Sequence, residues 1–137
     1  MIIDATDLIL GRLASFAAKK ALLGEKIEII NSEKSVISGK KDQVYKDYLR
    51  KIQRGIPLQG PYFPRMPDML VRRTIRGMIP YKTERGKKAF RNIKCWIGVP
   101  AKLKDQKADT IKQANVSKLP YLKYKTAGDI CRLMRSK

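Results

Sequence analysis

Residues 1–31 read MIIDATDLILGRLASFAAKKALLGEKIEIIN, and the order of patterns in them decides the fold. Met1-Ile2-Ile3-Asp4 is a short apolar run suited to a strand. Asp7 is expected to cap the turn before a helix from about Leu10 to Leu23. Leu10, Leu13, Ala14, Ala17 and Ala21 then share one helical face. Lys19 and Lys20 lie off that face, in the last turns, where they suit the helix dipole. Gly24 is placed as a left-handed stop, and Lys26 to Asn31 reads as a second strand. Strand, helix, strand in that order implies a parallel, right-handed crossover and hence an α/β protein.

Further along, Ser35 to Gly39 reads as a third short strand ending in a turn. Lys40 to about Lys51 reads as a helix with Val44, Tyr48 and Leu49 inward, and with Asp42–Lys46 and Asp47–Lys51 at ion-pair spacing. Gln53 to Pro67 holds Gly55, Pro57, Gly60, Pro61, Pro64 and Pro67, a density that no regular element survives. Yet Ile56, Leu58, Tyr62, Phe63 and Met66 make it too apolar for a floppy linker, so an ordered extended loop is expected. Asp68 is expected to cap a helix over Met69–Gly77, and Thr83 a second one from Glu84 to about Phe90. Ile93 to Ile97 reads as a fourth strand. The chain then looks loop-like until Thr126, where capping-box spacing to Asp129 starts a short C-terminal helix ending near Met134. One domain over residues 1–137 is expected, with a loosely structured tail at about 98–125. No repeat or low-complexity tract is visible.

The charge is far from balanced. The 137 residues carry 31 Lys+Arg against 12 Asp+Glu and no His, a net +19, although 43% of them are hydrophobic. Self-repulsion on that scale destabilises a compact chain unless a polyanion offsets it. The excess is also local: residues 1–49 are net +1, residues 50–94 net +11 and residues 95–137 net +7. The first third is therefore an ordinary folding scaffold, and the binding charge begins near Arg50. Nucleic acid is the expected polyanion, with an acidic membrane surface as competitor. No run reaches the roughly 18 apolar residues of a membrane span, and no basic region precedes an apolar core as in a signal peptide.

Chemistry-bearing constellations are lacking. Without His there is no Ser-His-Asp or Cys-His arrangement. Cys95 and Cys131 stand alone and form no CxxC, so reduced buried thiols are expected rather than a metal site. Ser38-Gly39-Lys40-Lys41 holds a GK pair without the upstream glycine of a phosphate loop. No cofactor, metal or catalytic residue is therefore assigned.

Binding residues are easier to nominate. Arg72, Arg73 and Arg76 sit at spacings of three and four on one helix, where like charges repel unless a phosphate intervenes. On that reading, Gln at positions 73 and 76 should leave the isolated fold unharmed or slightly more stable. Arg85, Lys87, Lys88 and Arg91 repeat the theme on the next helix, with Lys82 in the link between. Arg50, Lys51, Arg54 and Arg65 bracket the proline-rich loop, with Tyr62 and Phe63 at its tip. Those two aromatics are suited either to stacking on unpaired bases or to packing against their own domain.

Four stretches together have a recognisable pattern. They are Ile3-Asp4-Ala5 followed by Ile9-Leu10-Gly11-Arg12-Leu13-Ala14-Ser15; Ile30-Asn31-Ser32-Glu33-Lys34 with Ile37-Ser38-Gly39; Gly60-Pro61-Tyr62-Phe63-Pro64-Arg65; and Val71-Arg72-Arg73-Thr74-Ile75-Arg76-Gly77-Met78-Ile79-Pro80 through Gly86. In these the chain resembles the thirteenth universal protein of the large ribosomal subunit, in its archaeal form. The second stretch departs from the pattern by carrying Ser where Ala or Thr is frequent. The match is loose from Lys102 to Lys125. The resemblance implies a three-layer α/β/α fold around a four-stranded parallel sheet, with extended basic loops. It implies a cytoplasmic structural constituent of the large subunit that binds large-subunit ribosomal RNA, adjoins other large-subunit proteins, supports assembly, and is not an enzyme. No membrane and no small-molecule substrate belong to that picture. Lacking the bacterial N-terminal and eukaryotic C-terminal extensions, the chain is expected to come from an archaeon. An architectural DNA-binding protein would need a groove-reading helix-turn-helix, finger or zipper, and a nuclease a carboxylate cluster; neither is evident.

Overall fold

A computed structural model describes residues 1–56, 58–121 and 123–135. The opening unit forms as its pattern dictates: β1 (Ile2–Asp4), α1 (Leu10–Leu22) and β2 (Ile27–Ile30). β1 and β2 pair in parallel with Ile3 opposite Ile29. β4 (Ile93–Cys95) pairs in parallel on the other side of β2, with Ile93 opposite Ile27 and Cys95 opposite Ile29. One face of the sheet thus presents Ile3, Ile27, Ile29 and Ile93, all fully buried. Leu13, Ala14 and Ala17 of α1 complete that core, and the small Ala side chains let the helix lie close to the strands. α1 ends where Gly24 takes the left-handed φ of 97°.

Between β2 and β4 the chain builds β3 (Val36–Ser38), α2 (Lys41–Gln53), α3 (Pro67–Gly77) and α4 (Glu84–Arg91). α4 is capped by Thr83, whose Oγ1 accepts from the Gly86 N–H at 3.1 Å. Gly86 has to be glycine, because a Cβ there would run into the Pro80 carbonyl. After β4 come β5 (Tyr124–Thr126) and α5 (Ala127–Arg135), and Thr126 caps α5 by accepting from the Asp129 N–H at 3.1 Å. α3 is the shared wall of the molecule. Its Val71 and Ile75 enter the core under α1, with Ala89 of α4. Its Leu70 enters a second core with Val44 of α2 and with Ile130, Cys131 and Met134 of α5. Arg72, Arg73 and Arg76 occupy the face that remains exposed.

Several expectations are corrected. Among the described residues the parallel sheet has three strands, not four. Asn31 turns left-handed at φ 53° and a 3-10 turn over Ser32–Lys34 redirects the chain. The third strand therefore leaves the sheet and pairs antiparallel with β5, Ile37 opposite Lys125. Asp7 caps nothing: it stands at φ 56°, and Ile9 is the N-cap of α1 with no side-chain bond. α3 starts two residues earlier than expected, with Met66 as N-cap and Pro67 in the first turn, where its missing N–H costs nothing. Asp68 sits inside that turn instead of capping it. β4 stops at Cys95, two residues short of Ile97. On α2 the ion pair that forms is Asp47–Arg50 at 3.9 Å, at a spacing of three.

The tail is better tied down than its sequence suggests. The Asp4 N–H donates to the Asp109 carbonyl at 3.0 Å and the Asp109 N–H to the Ile2 carbonyl at 2.9 Å, a one-residue extension of the sheet beyond β1. Ala114 is buried in the main core. Asp4 also accepts from the Thr6 N–H and hydroxyl and from Asn31 Nδ2, at 3.0, 2.7 and 3.0 Å, stitching the end of β1 to the end of β2. Burial alone would raise its carboxyl, but those hydrogen bonds and the nearby Lys34 charge outweigh burial and hold it low.

Candidate nucleic-acid interface

The interface grows outward from α3. Because Leu70, Val71 and Ile75 use up its two buried sides, Arg72, Arg73 and Arg76 point to solvent together. Asp68 stands one helical turn before Arg72. Its Oδ1 is buried, however, and among the described residues no carboxylate lies within ion-pair distance of any of the three arginines.

What the arginines do have is rings. The Arg72 guanidinium lies 4.6 Å from the centre of the Phe90 ring of α4. Arg73 lies 4.7 Å from Phe63 of the proline-rich loop, and Arg76 lies 5.5 Å from Tyr81 of the α3–α4 link. The rings are themselves braced: Tyr81 meets Phe90 edge to face at 5.4 Å, and Phe63 meets Tyr48 of α2 at 6.0 Å. Lys51 covers the other ring of that pair, 4.6 Å from Tyr48. Each contact at an exposed site contributes about 0.5–1 kcal/mol.

The structure brings together residues that are far apart in sequence. Lys51, Arg54, Pro61, Phe63 and Arg73 line one hollow of about 270 Å³, so the end of α2, the loop and α3 converge there. Arg54, Tyr62, Phe63 and Arg65 share a second. Phe63 is half-buried between Tyr48 and Arg73, whereas Tyr62 is 72% exposed with its hydroxyl donating to the Leu58 carbonyl at 2.9 Å. The remaining candidates are spread more widely. Arg50 is paired with Asp47; Lys87 reaches Glu84 at 3.2 Å; Arg85 donates to the Leu22 carbonyl at 3.3 Å, tying α4 to α1. Lys82, Lys88 and Arg91 are exposed and, among the described residues, their side chains form no ion pair. Missed by the sequence reading were Pro64 and Met69, which lie among the arginines, and Lys94, which shares a hollow with Arg72. Only Lys94 carried a signal, its charge.

Among the described residues no cluster of three or more His, Cys, Asp or Glu is placed to hold a metal ion. Cys131 is buried and Cys95 half-buried, both free. Burial pushes the Cys95 thiol up to about 12 and the Cys131 thiol up to about 11, which leaves both unreactive at neutral pH.

The family model described as Ribosomal protein L13 matches residues 1–102. The chain belongs to this family. Among its relatives is the large ribosomal subunit protein uL13 of Methanosarcina barkeri, 47% identical over 137 residues, covering 99% of this chain and 98% of that one. The protein of the same name from Methanopyrus kandleri is 44% identical over 131 residues, 94% of this chain and 82% of its own. That of Archaeoglobus fulgidus is 42% identical over 134 residues, with 97% and 86% covered. The relatives extend through the tail that lies beyond the family model. The ribosomal protein L13 pattern thus spans both the scaffold of β1, α1 and β2 and the arginine helix α3.

Proposed function

We propose that the chain is a cytoplasmic structural constituent of the large ribosomal subunit, not an enzyme, which binds large-subunit ribosomal RNA and supports assembly of the subunit. Neighbouring large-subunit proteins are its other partners. The observation that carries this reading is the row of Arg72, Arg73 and Arg76, held over three rings with, among the described residues, no carboxylate within ion-pair distance. Guanidinium groups so placed match phosphate oxygens bidentately. Arg50, Lys51, Arg54, Tyr62, Phe63, Arg65, Lys82, Arg85, Lys87, Lys88 and Arg91 form the rest of the RNA face, and the proline-rich loop and the tail act as its basic extensions. Family membership and a net charge of +19 support the assignment. Among the described residues no helix is long and apolar enough to cross a membrane.

We also propose that residues 1–137 act as one domain of three-layer α/β/α type. The single domain is supported by α3, which contributes to both cores, and one of the three layers by α1, α3 and α4, which share a core with the parallel sheet.

The test is reconstitution with large-subunit ribosomal RNA followed by sedimentation. The chain should move with the RNA, and its affinity should fall with salt by about 0.7–0.9 in log K per log salt for each phosphate neutralised, with at least about six contacts. Failure to co-sediment, or an affinity indifferent to salt, would overturn the assignment.

A further inference from the structure

Among the arginines of α3 lies an apolar feature that phosphate contact does not explain. Met69 is 57% exposed on the helix that carries them, next to the buried Leu70. With Pro64, Phe90 and the three arginines it lines a pocket of about 230 Å³, open to solvent and, among the described residues, without a carboxylate in its wall. Duplex backbone needs charge alone, and side chains that meet only phosphates gain nothing from an exposed thioether and a proline between them. An unpaired nucleotide needs both: a cationic rim for its phosphate and an apolar or planar surface for its base.

We propose that this pocket takes a single nucleotide unstacked from the bound RNA, its base against Met69 and Pro64 and its phosphate across Arg72 and Arg76. The proposal rests on the RNA-binding reading above and deepens it. Arg72 and Arg76 stand one helical turn apart, so their guanidinium groups flank the pocket rather than compete for its centre. Phe90 and Tyr81 hold them there before RNA arrives. A guanidinium resting on a ring from below leaves its other side free, and a base can stack on that side as it would on an aromatic ring. The pocket therefore offers an anion site with two stacking surfaces, a combination suited to a bulged or looped-out nucleotide and wasted on a paired one.

The test uses the full chain and two RNA hairpins of equal length, one fully paired and one with a single unpaired adenosine in its stem. In a third RNA 2-aminopurine replaces that adenosine. The unpaired hairpin should bind about tenfold more tightly than the paired one, in line with what stacking one base contributes. The 2-aminopurine emission should change on binding, as the base leaves its neighbours in the stem. Met69→Ala, at an exposed position, should cut the preference for the unpaired hairpin several-fold and leave affinity for the paired one as it was. Thermal melting of the variant confirms that it is folded. Equal affinity of the parent chain for both hairpins overturns the nucleotide pocket while leaving RNA binding intact. So does a Met69→Ala variant that keeps the full preference. Failure to bind either hairpin, or large-subunit ribosomal RNA, overturns the underlying RNA-binding reading as well.

Discussion

Replacing Arg73 and Arg76 together by Gln should destabilise the free protein slightly and weaken its RNA binding strongly. The stability term follows from the rings. Arg73 over Phe63 and Arg76 over Tyr81 are exposed contacts at 4.7 and 5.5 Å, and losing both costs about 1–2 kcal/mol. Relieving the repulsion between the two arginines returns about 0.2–0.5 kcal/mol. Arg and Gln are nearly equal helix formers, so propensity decides nothing. The net loss is about 0.5–2 kcal/mol, which for a chain of this size lowers Tm by roughly 2–8 °C. Sequence alone gave the opposite sign, a fold unharmed or slightly stabilised, because neighbouring like charges were visible in it and the rings beneath them were not. Binding loses two charged donors, each contributing about 1.5–3 kcal/mol, so affinity should fall by two orders of magnitude or more. Melting curves and filter binding on the same preparations read both quantities. A variant that melts at or above the parent temperature refutes the bracing role of Phe63 and Tyr81. One that melts well over 10 °C lower yet binds RNA normally shows the arginines to be structural, and the interface to be elsewhere.

Leu13→Ala removes a fully buried side chain between α1 and the sheet and should cost about 2–5 kcal/mol in denaturant unfolding, with RNA affinity of the folded fraction unchanged; a loss under about 1 kcal/mol would mean the core has been misjudged. Asp4 has its carboxyl held below the usual value of 3.8, so its contribution is present above that value and is lost as pH falls through the lower, folded value. Asp4→Asn should therefore flatten the acid limb of the stability–pH curve, and an unchanged slope below about pH 4 would refute the role given to its hydrogen bonds. The thiols of Cys95 and Cys131 are raised from 9.0 to about 12 and about 11, so the stability of their neutral forms is complete below the usual thiol value and lost only as pH climbs through those figures. Both should resist iodoacetamide at pH 8 until the chain is unfolded, and rapid labelling of the native protein would show the burial to be wrong.

The elements that sequence made legible are those whose signals are local. α1 declares itself by its Leu and Ala spacing and by Gly24, and α4 by Thr83; both end within a residue or two of where they were expected. Asp7 misled because a capping residue needs an extended backbone, and the turn after β1 holds Asp7 left-handed instead. Asp68 misled because Pro67, which fits the first turn of a helix better than the end of a loop, lies just before it. The strand pair β3–β5 was hidden for a different reason. Tyr124-Lys125-Thr126 has neither alternation nor an apolar run, and what makes it a strand is a partner 86–90 residues earlier. The four-stranded parallel sheet was what the family resemblance implied, and without β5 in view nothing in Val36–Ser38 itself spoke against a place in it.

The candidate interface divides along the same line. Its charge could be counted, and counting located the basic surface between Arg50 and Lys94. Its mechanism could not, because Arg72 meets Phe90 eighteen residues on and Arg73 meets Phe63 ten residues back, at spacings that carry no pattern. Those pairings answer a problem that net charge poses. Cations crowded on one helix face need some stabilisation before RNA is bound, and a carboxylate would supply it by occupying the N–H donors that a phosphate must use. A ring supplies it differently. It attracts the guanidinium through the face of the plane and leaves the in-plane donors unoccupied. On the proposed RNA face, RNA would displace nothing on arrival, and arginines already in position would lose less side-chain entropy on binding. Asp68, the acid nearest the arginines in sequence, fits the same logic: it forms no ion pair with them among the described residues, and one of its oxygens, Oδ1, is buried.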